Sequence, residues 1–205
     1  MNLSNKLTVL RVILIPFFIF FLMTEMFGNA GTGAMIALII FCVASLTDML
    51  DGKIARKYNL VTNFGKFMDP LADKLLVSSA LICFIELRIL PAWFVIVIIA
   101  REFIISGFRL VASDKGVVIA ASMWGKVKTV FQMVMVIWFL LLLGLGADLY
   151  WLDIALCQRT DMTKTVEWTW QSFVGTGLAW IAFALTVISL IDYIIKNKDV
   201  MKDTK

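Results

Sequence analysis

Residues 45–77 read SLTDMLDGKIARKYNLVTNFGKFMDPLADKLLV, and within them four aspartates, Asp48, Asp51, Asp69 and Asp73, stand at the edges of two apolar runs. Apolar runs long enough to cross a bilayer do not carry acids at their ends without reason, because an ionised side chain costs about 2.5–3.5 kcal/mol at the centre of a span and less near the interface. The stretch therefore reads as the polar turn of a helical hairpin. Two helices run into it from the membrane, and the basic segment between them, KYNLVTNFGKFM, lies on the cytoplasmic side.

The rest of the chain agrees with a membrane setting. Of 205 residues, 61% are hydrophobic and only 17% charged, and there is no histidine. That composition lies far outside the range of soluble globular domains. Apolar runs predict spans near 7–27, 31–50, 70–87, 91–111, 125–146 and 171–195. The fold class is thus an all-α integral membrane protein with six transmembrane helices, expected as a single domain over 1–205 with a short cytoplasmic tail from about 196. A polar start containing Asn2, Ser4, Asn5, Lys6 and Arg11 predicts a short interfacial amphipathic helix, with Pro16 kinking the chain or beginning the true crossing. The first apolar run has no small-residue cleavage site and is expected to be retained.

Sixteen of the nineteen lysines and arginines fall on one side of these spans, leaving Arg88, Arg159 and Lys164 on the other. Basic residues are held on the cytoplasmic side of short loops, so both termini are expected inside. The net charge of +4 then follows from topology and from attraction to anionic membrane lipid, with no nucleic-acid partner implied. Cys42, Cys83 and Cys157 are too widely separated for a disulfide framework and read as packing residues. Without histidine, imidazole ligands and Ser-His triads are excluded, so acid–base chemistry must come from carboxylates, lysines or tyrosines. The tryptophans read as an interface belt.

On a helix, Asp48 and Asp51 are three apart and Asp69 and Asp73 four apart, so each pair shares a face of its own helix. A hairpin gathers all four at the inner membrane boundary. Hard oxygen ligands without histidine or thiolate suit Mg²⁺, Mn²⁺ or Ca²⁺, and shared carboxylates can bridge two ions. Gly52, Ala55 and Gly65 leave room beside them for a bulky ligand. A structural alternative is that Asp69 caps a helix that has Pro70 at its first position, and that Asp73 pairs with Lys74 or Lys66.

The spacing Asp48-x2-Asp51-Gly52-x2-Ala55-Arg56-x8-Gly65-x3-Asp69-x3-Asp73 resembles, at all eight positions, the signature of the CDP-alcohol phosphatidyltransferase family. The resemblance implies six helices, a homodimer, and two metal ions, Mg²⁺ or Mn²⁺, at the cytoplasmic boundary of a bacterial cell membrane. It implies transfer of a phosphatidyl group from CDP-diacylglycerol to an alcohol with release of CMP. By the same resemblance Asp48, Asp51, Asp69 and Asp73 hold metal, and Asp73 doubles as the general base. Asn5, Thr8, Asp51, Gly52, Ala55, Arg56 and Gly65 contact the nucleotide of CDP-diacylglycerol.

A second stretch, residues 100–129, is similar to that of bacterial family members whose acceptor is sn-glycerol 3-phosphate, with Arg101-Glu102, Ser106-Gly107, Arg109 and Gly125-Lys126-x-Lys128-Thr129 in matching places. Ser4 departs from that group's opening, where proline is expected. Arg101, Arg109, Lys126 and Lys128 are four cations at the cytoplasmic ends of spans four and five, suited to a phosphorylated acceptor. Arg109 and Lys126 are the preferred phosphate ligands, and Glu102 is expected to pair with a neighbouring cation. Positive-inside topology alone also places basic residues there. Two alternatives stay open: another acceptor, such as inositol phosphate or glycerol, and a divalent-cation transporter in which the aspartates line a permeation site.

Overall fold

The structure is a computed structural model that describes residues 3–24, 30–58, 63–114, 122–147, 149, 152, 155–156 and 169–197; the side chains at 3–8, 30, 48–58, 63–71, 73, 110–111 and 113–114 lie outside the description. Among the described residues the chain is all helix, with no strand. Its long elements are α1 (Leu3–Met23), α2 (Ala30–Tyr58), α3 (Asn63–Glu86), α4 (Ala92–Asp114), α5 (Met123–Gly144) and α6 (Trp170–Lys196).

Each predicted span has its helix, but the bounds differ where hydropathy and helix propensity part. α2 continues to Tyr58 and α3 begins at Asn63, so most of the segment expected to connect them is helical and only residues 59–62 stand between. Apart from Gly52, nothing from Asp51 to Tyr58 weakens a helix, and lysine, arginine and alanine favour one, so the helix outlasts its apolar part. The capping alternative for Asp69 is overturned for the same reason. Asp69 and Pro70 fall at the seventh and eighth positions of α3, inside the helix rather than at its start. At the N-terminus, α1 runs unbroken from Leu3 to Met23 with Pro16 within it, in place of a separate short helix followed by a span.

Among the described residues two helices, α5 and α6, are long and apolar enough by themselves to cross a membrane. α4 is apolar too, but carries Arg101, Glu102 and Arg109. The outer surface is rich in large hydrophobic residues, among them Phe17, Ile39, Ile96, Val130, Phe173 and Ile195, each more than half exposed. Water does not tolerate such a surface over whole helices, whereas lipid does.

Inside, α1 packs against α2 and α3, α2 against α5, α5 against α6, and α4 against α3 and α6. Phe18 and Phe41 meet across α1 and α2, and Phe84 and Phe139 across α3 and α5, with ring centroids 6.0 and 5.7 Å apart. Both described cysteines are free, Cys42 half-buried and Cys83 buried, as packing residues should be. Backbones come closest at glycines. A methyl group on Gly33 would stand 2.4 Å from the carbonyl oxygen of Phe21, so α1 and α2 can cross there only with no side chain between them.

Two helices end in the same hydrogen-bonded cap. After α5, Gly146 takes φ 73°, its N–H donates to the carbonyl of Leu143, and the N–H of Ala147 donates to that of Leu142. After α3, Arg88 takes the same left-handed conformation with φ 56°, and the N–H groups of Arg88 and Ile89 donate to the carbonyls of Ile85 and Phe84. Arginine carries a steric cost there that glycine does not. Ile89, 2% exposed, packs beneath the cap.

Candidate active site

Two groups of residues face the end of the bundle where α2 stops, α3 starts, α4 stops and α5 starts. The acidic group belongs to α2 and α3. Asp48 and Asp51 lie within α2, Asp69 and Asp73 within α3, and the backbone keeps the three- and four-residue spacing that puts each pair on one face. Gly52, Ala55 and Arg56 follow in α2 and Gly65 lies in the first turn of α3, while Asn5 and Thr8 are on α1, which packs against both helices. The side chains of all these residues are outside the described set, so their metal and nucleotide roles rest on placement and residue type. Arg11, also on α1, is described, and is buried at 1% exposure.

The basic group, on α4, α5 and α6, is described in full. Glu102 accepts from Arg101 Nη1 at 2.9 Å and from Lys128 Nζ, both through the single oxygen Oε1. Arg101 Nη2 reaches across to donate to Ser189 Oγ on α6. Arg101 and Lys128 are 6% and 1% exposed, so one carboxylate is shared by two cations in a layer between three helices, and the group keeps a net positive charge. Gly125 makes the layer possible. A methyl group there would meet Arg101 Nη2 at 3.3 Å and Ser189 Oγ at 3.8 Å, so the room left by this glycine is taken by the guanidinium.

Toward the helix ends the pattern changes. Arg109 and Lys126 are exposed. Arg109 stands beside the buried Tyr193 of α6, whose ring lies 6.4 Å from that of Phe108. Ser122, directly before α5, donates to Asp192 Oδ2 at 2.6 Å instead of capping its own helix, and Lys196 pairs with Asp192 Oδ1 at 2.7 Å. Asp192 thus ties the start of α5, and with it Lys126 one turn on, to α6. Ser106 and Thr129 bond back to the carbonyls of Glu102 and Gly125, so their hydroxyls serve their own helices.

The four predicted acceptor-site cations are therefore brought to one end but into two layers: Arg101 and Lys128 deep and paired, Arg109 and Lys126 outside them. Glu102 pairs as expected. Sequence reasoning missed Ser189, Asp192 and Tyr193, although polar residues at 189, 192 and 193 in an otherwise apolar helix were a readable signal. It also missed Gln132, 4% exposed on α5. Gln132 helps to line a cavity of about 40 Å³ between α3, α4 and α5, with Lys74, Ser78, Glu102 and Thr129 as its other polar walls.

Comparison with known proteins bears on the same residues. Residues 1–188 match the family described as CDP-alcohol phosphatidyltransferase. The chain is 42% identical, over 98% of its length and 97% of the relative's, to a Bacillus subtilis protein named CDP-diacylglycerol–glycerol-3-phosphate 3-phosphatidyltransferase. Proteins of the same name from Rickettsia bellii and Salmonella typhimurium are each 35% identical over 94% of this chain and 93% of their own. Similarity that runs the length of the chain, through both the aspartate-bearing helices and the basic group, shows that the chain belongs to the CDP-alcohol phosphatidyltransferase family.

Proposed function

We propose that this protein is a membrane phosphatidyltransferase that joins CDP-diacylglycerol to sn-glycerol 3-phosphate, giving phosphatidylglycerophosphate and CMP. Family membership and the names of its relatives support the reaction class and both substrates. The observation that carries the acceptor is the layered basic group: Glu102 already satisfies the inner cations, and Arg109 and Lys126 stand outside it, open to a phosphate.

In this reading Asp48, Asp51, Asp69 and Asp73 hold Mg²⁺ or Mn²⁺, two ions per site, as an all-oxygen donor set on adjacent helix ends suits. What the ions supply when bound is positive charge against the pyrophosphate. Gly52, Ala55 and Gly65 leave the nucleotide room to lie against α2 and α3, with Arg56, Asn5 and Thr8 beside it. Arg109 and Lys126 seat the acceptor phosphate, with Arg101 and Lys128 adding their charge from below. Asp73 takes the proton from the acceptor's primary hydroxyl as that oxygen bonds to the β-phosphorus; the bond to CMP breaks, and CMP leaves with the electron pair. A carboxylate of ordinary pKa near 4 is a weak base for an alcohol, so placement must do most of the work. The same reading sets the chain in a bacterial cytoplasmic membrane with six crossings, both termini and the site inside, as a homodimer.

The test is CMP release by the purified protein in detergent, with CDP-diacylglycerol and Mg²⁺ or Mn²⁺, offering glycerol 3-phosphate, glycerol, inositol phosphate and serine in turn. Release with glycerol 3-phosphate alone is expected. Release only with another acceptor overturns the reading of Arg109 and Lys126, and no release with any overturns the transferase. Asp73→Asn is expected to abolish release while the protein still folds.

A further inference from the structure

The cavity between α3, α4 and α5 has more hydrogen-bonding capacity than its walls use. Gln132 is 4% exposed, and its amide makes no hydrogen bond among the described residues. A primary amide brings two donors and an acceptor oxygen, and here they line the cavity, able to bond to what enters it. Glu102 meets the same space. Both of its ion pairs run through Oε1, and Oε2 takes part in neither. Ser78 adds a hydroxyl from α3, and Leu81 and Ile98 close the deep side with apolar surface.

The size of the space limits what enters. About 40 Å³ has room for a few waters, at roughly 10–15 Å³ each on this measure, or for a short hydroxyl-bearing carbon fragment. Its wall includes Lys74, the residue after Asp73. Another wall residue, Glu102, holds the paired cations Arg101 and Lys128, so the cavity adjoins the basic group of α4 and α5.

We propose that this cavity is a hydroxyl-recognition subsite for the acceptor: it takes the secondary hydroxyl of a short phosphorylated polyol, with Gln132 and Glu102 Oε2 as its partners. The inference rests on the transfer reaction proposed above and adds to it the feature that selects the polyol. The hydroxyl donates to Oε2 of Glu102 and accepts from the Gln132 amide, so both its proton and its lone pairs are used. An acceptor lacking that hydroxyl leaves Gln132 and Oε2 to water and forfeits both hydrogen bonds, so the site discriminates against it.

The experiment compares sn-glycerol 3-phosphate with 1,3-propanediol monophosphate, identical but for the secondary hydroxyl, as acceptors for the full chain in detergent with CDP-diacylglycerol and Mg²⁺. Wild-type kcat/KM is expected to favour glycerol 3-phosphate roughly 10- to 100-fold. In Gln132→Met the ratio should fall to within about threefold of unity, and in Gln132→Asn, whose amide is one carbon short, to between the two. Equal use of the two acceptors by the wild-type protein overturns the inference without any variant, so folding of Gln132→Met is not essential. An undiminished ratio in Gln132→Met or Gln132→Asn overturns it as well. Absence of CMP release by the wild type with both acceptors overturns the transferase reading itself and the inference with it, whereas release with no discrimination overturns the inference alone.

Discussion

The inner and outer layers of the basic group are built from the same residue types and behave as different materials. Arg101 and Lys128 are sealed between helices and share one carboxylate. Arg109 and Lys126, about two turns and half a turn nearer the helix ends, are open. A buried cation without a partner is expensive, so the inner pair is committed to Glu102 before any ligand arrives and acts as a pillar joining α4, α5 and α6. The outer pair holds no such commitment to a buried acid, and its charge is available for a phosphate. Cations that look alike along the chain are thus divided by burial into support and recognition.

Removing the shared acid breaks this division most severely. Glu102→Ala leaves two cations in the inner layer and is expected to cost on the order of 3 kcal/mol, the low end for a broken buried pair because the Glu102 side chain keeps 19% of its exposure. Thermal unfolding in detergent would show it; an unchanged midpoint would mean that the layer is not structural. Arg109→Ala tests the other half. It should raise the KM for glycerol 3-phosphate roughly 30-fold, about 2 kcal/mol, and the KM for CDP-diacylglycerol by less than about threefold. Equal effects on both substrates would erase the distinction between layers.

Smaller changes sharpen it. Ser189→Ala removes the hydroxyl that Arg101 reaches across to α6 and should cost about 1.5 kcal/mol of stability, with little change in either KM. A large KM effect would move Arg101 from the pillar to the substrate. Far from both layers, Arg88→Gly relieves the left-handed residue after α3. The steric gain of about 1 kcal/mol is partly offset by the greater freedom of glycine in the unfolded chain, so a rise of roughly 0.5 kcal/mol is expected. The transition midpoint is the readout, and a fall would show that the arginine side chain contributes more than its backbone costs.

Much of this was legible along the chain. A bilayer demands about 20 apolar residues per crossing, and each of the six helices overlaps a run that hydropathy picks out. The extension of α2 to Tyr58 was not, because hydropathy stops at the membrane boundary while helix propensity continues through Lys53, Ala55 and Arg56. Asp48, Asp51, Asp69 and Asp73 announce themselves by spacing within single helices. Burial of Arg101 and Lys128, and exposure of Arg109 and Lys126, depend on how three helices meet, and no spacing within one helix encodes that. Gln132 could have been singled out as a lone amide in an apolar span, but the space it faces exists only once α3, α4 and α5 are assembled.

The crossing at Gly33 sets an alignment at a distance. Only a residue without a side chain fits beneath the carbonyl of Phe21, and sliding α2 by one turn would bring the methyl of Ala30 or Ala37 to that point. Asp48 lies fifteen residues along α2 from this contact and Thr8 thirteen along α1, so each is about 20 Å away on its own helix. The two helices behave like the arms of a caliper keyed at one end: a glycine near the far side of the bundle gauges how deep the first aspartates stand against the start of α1.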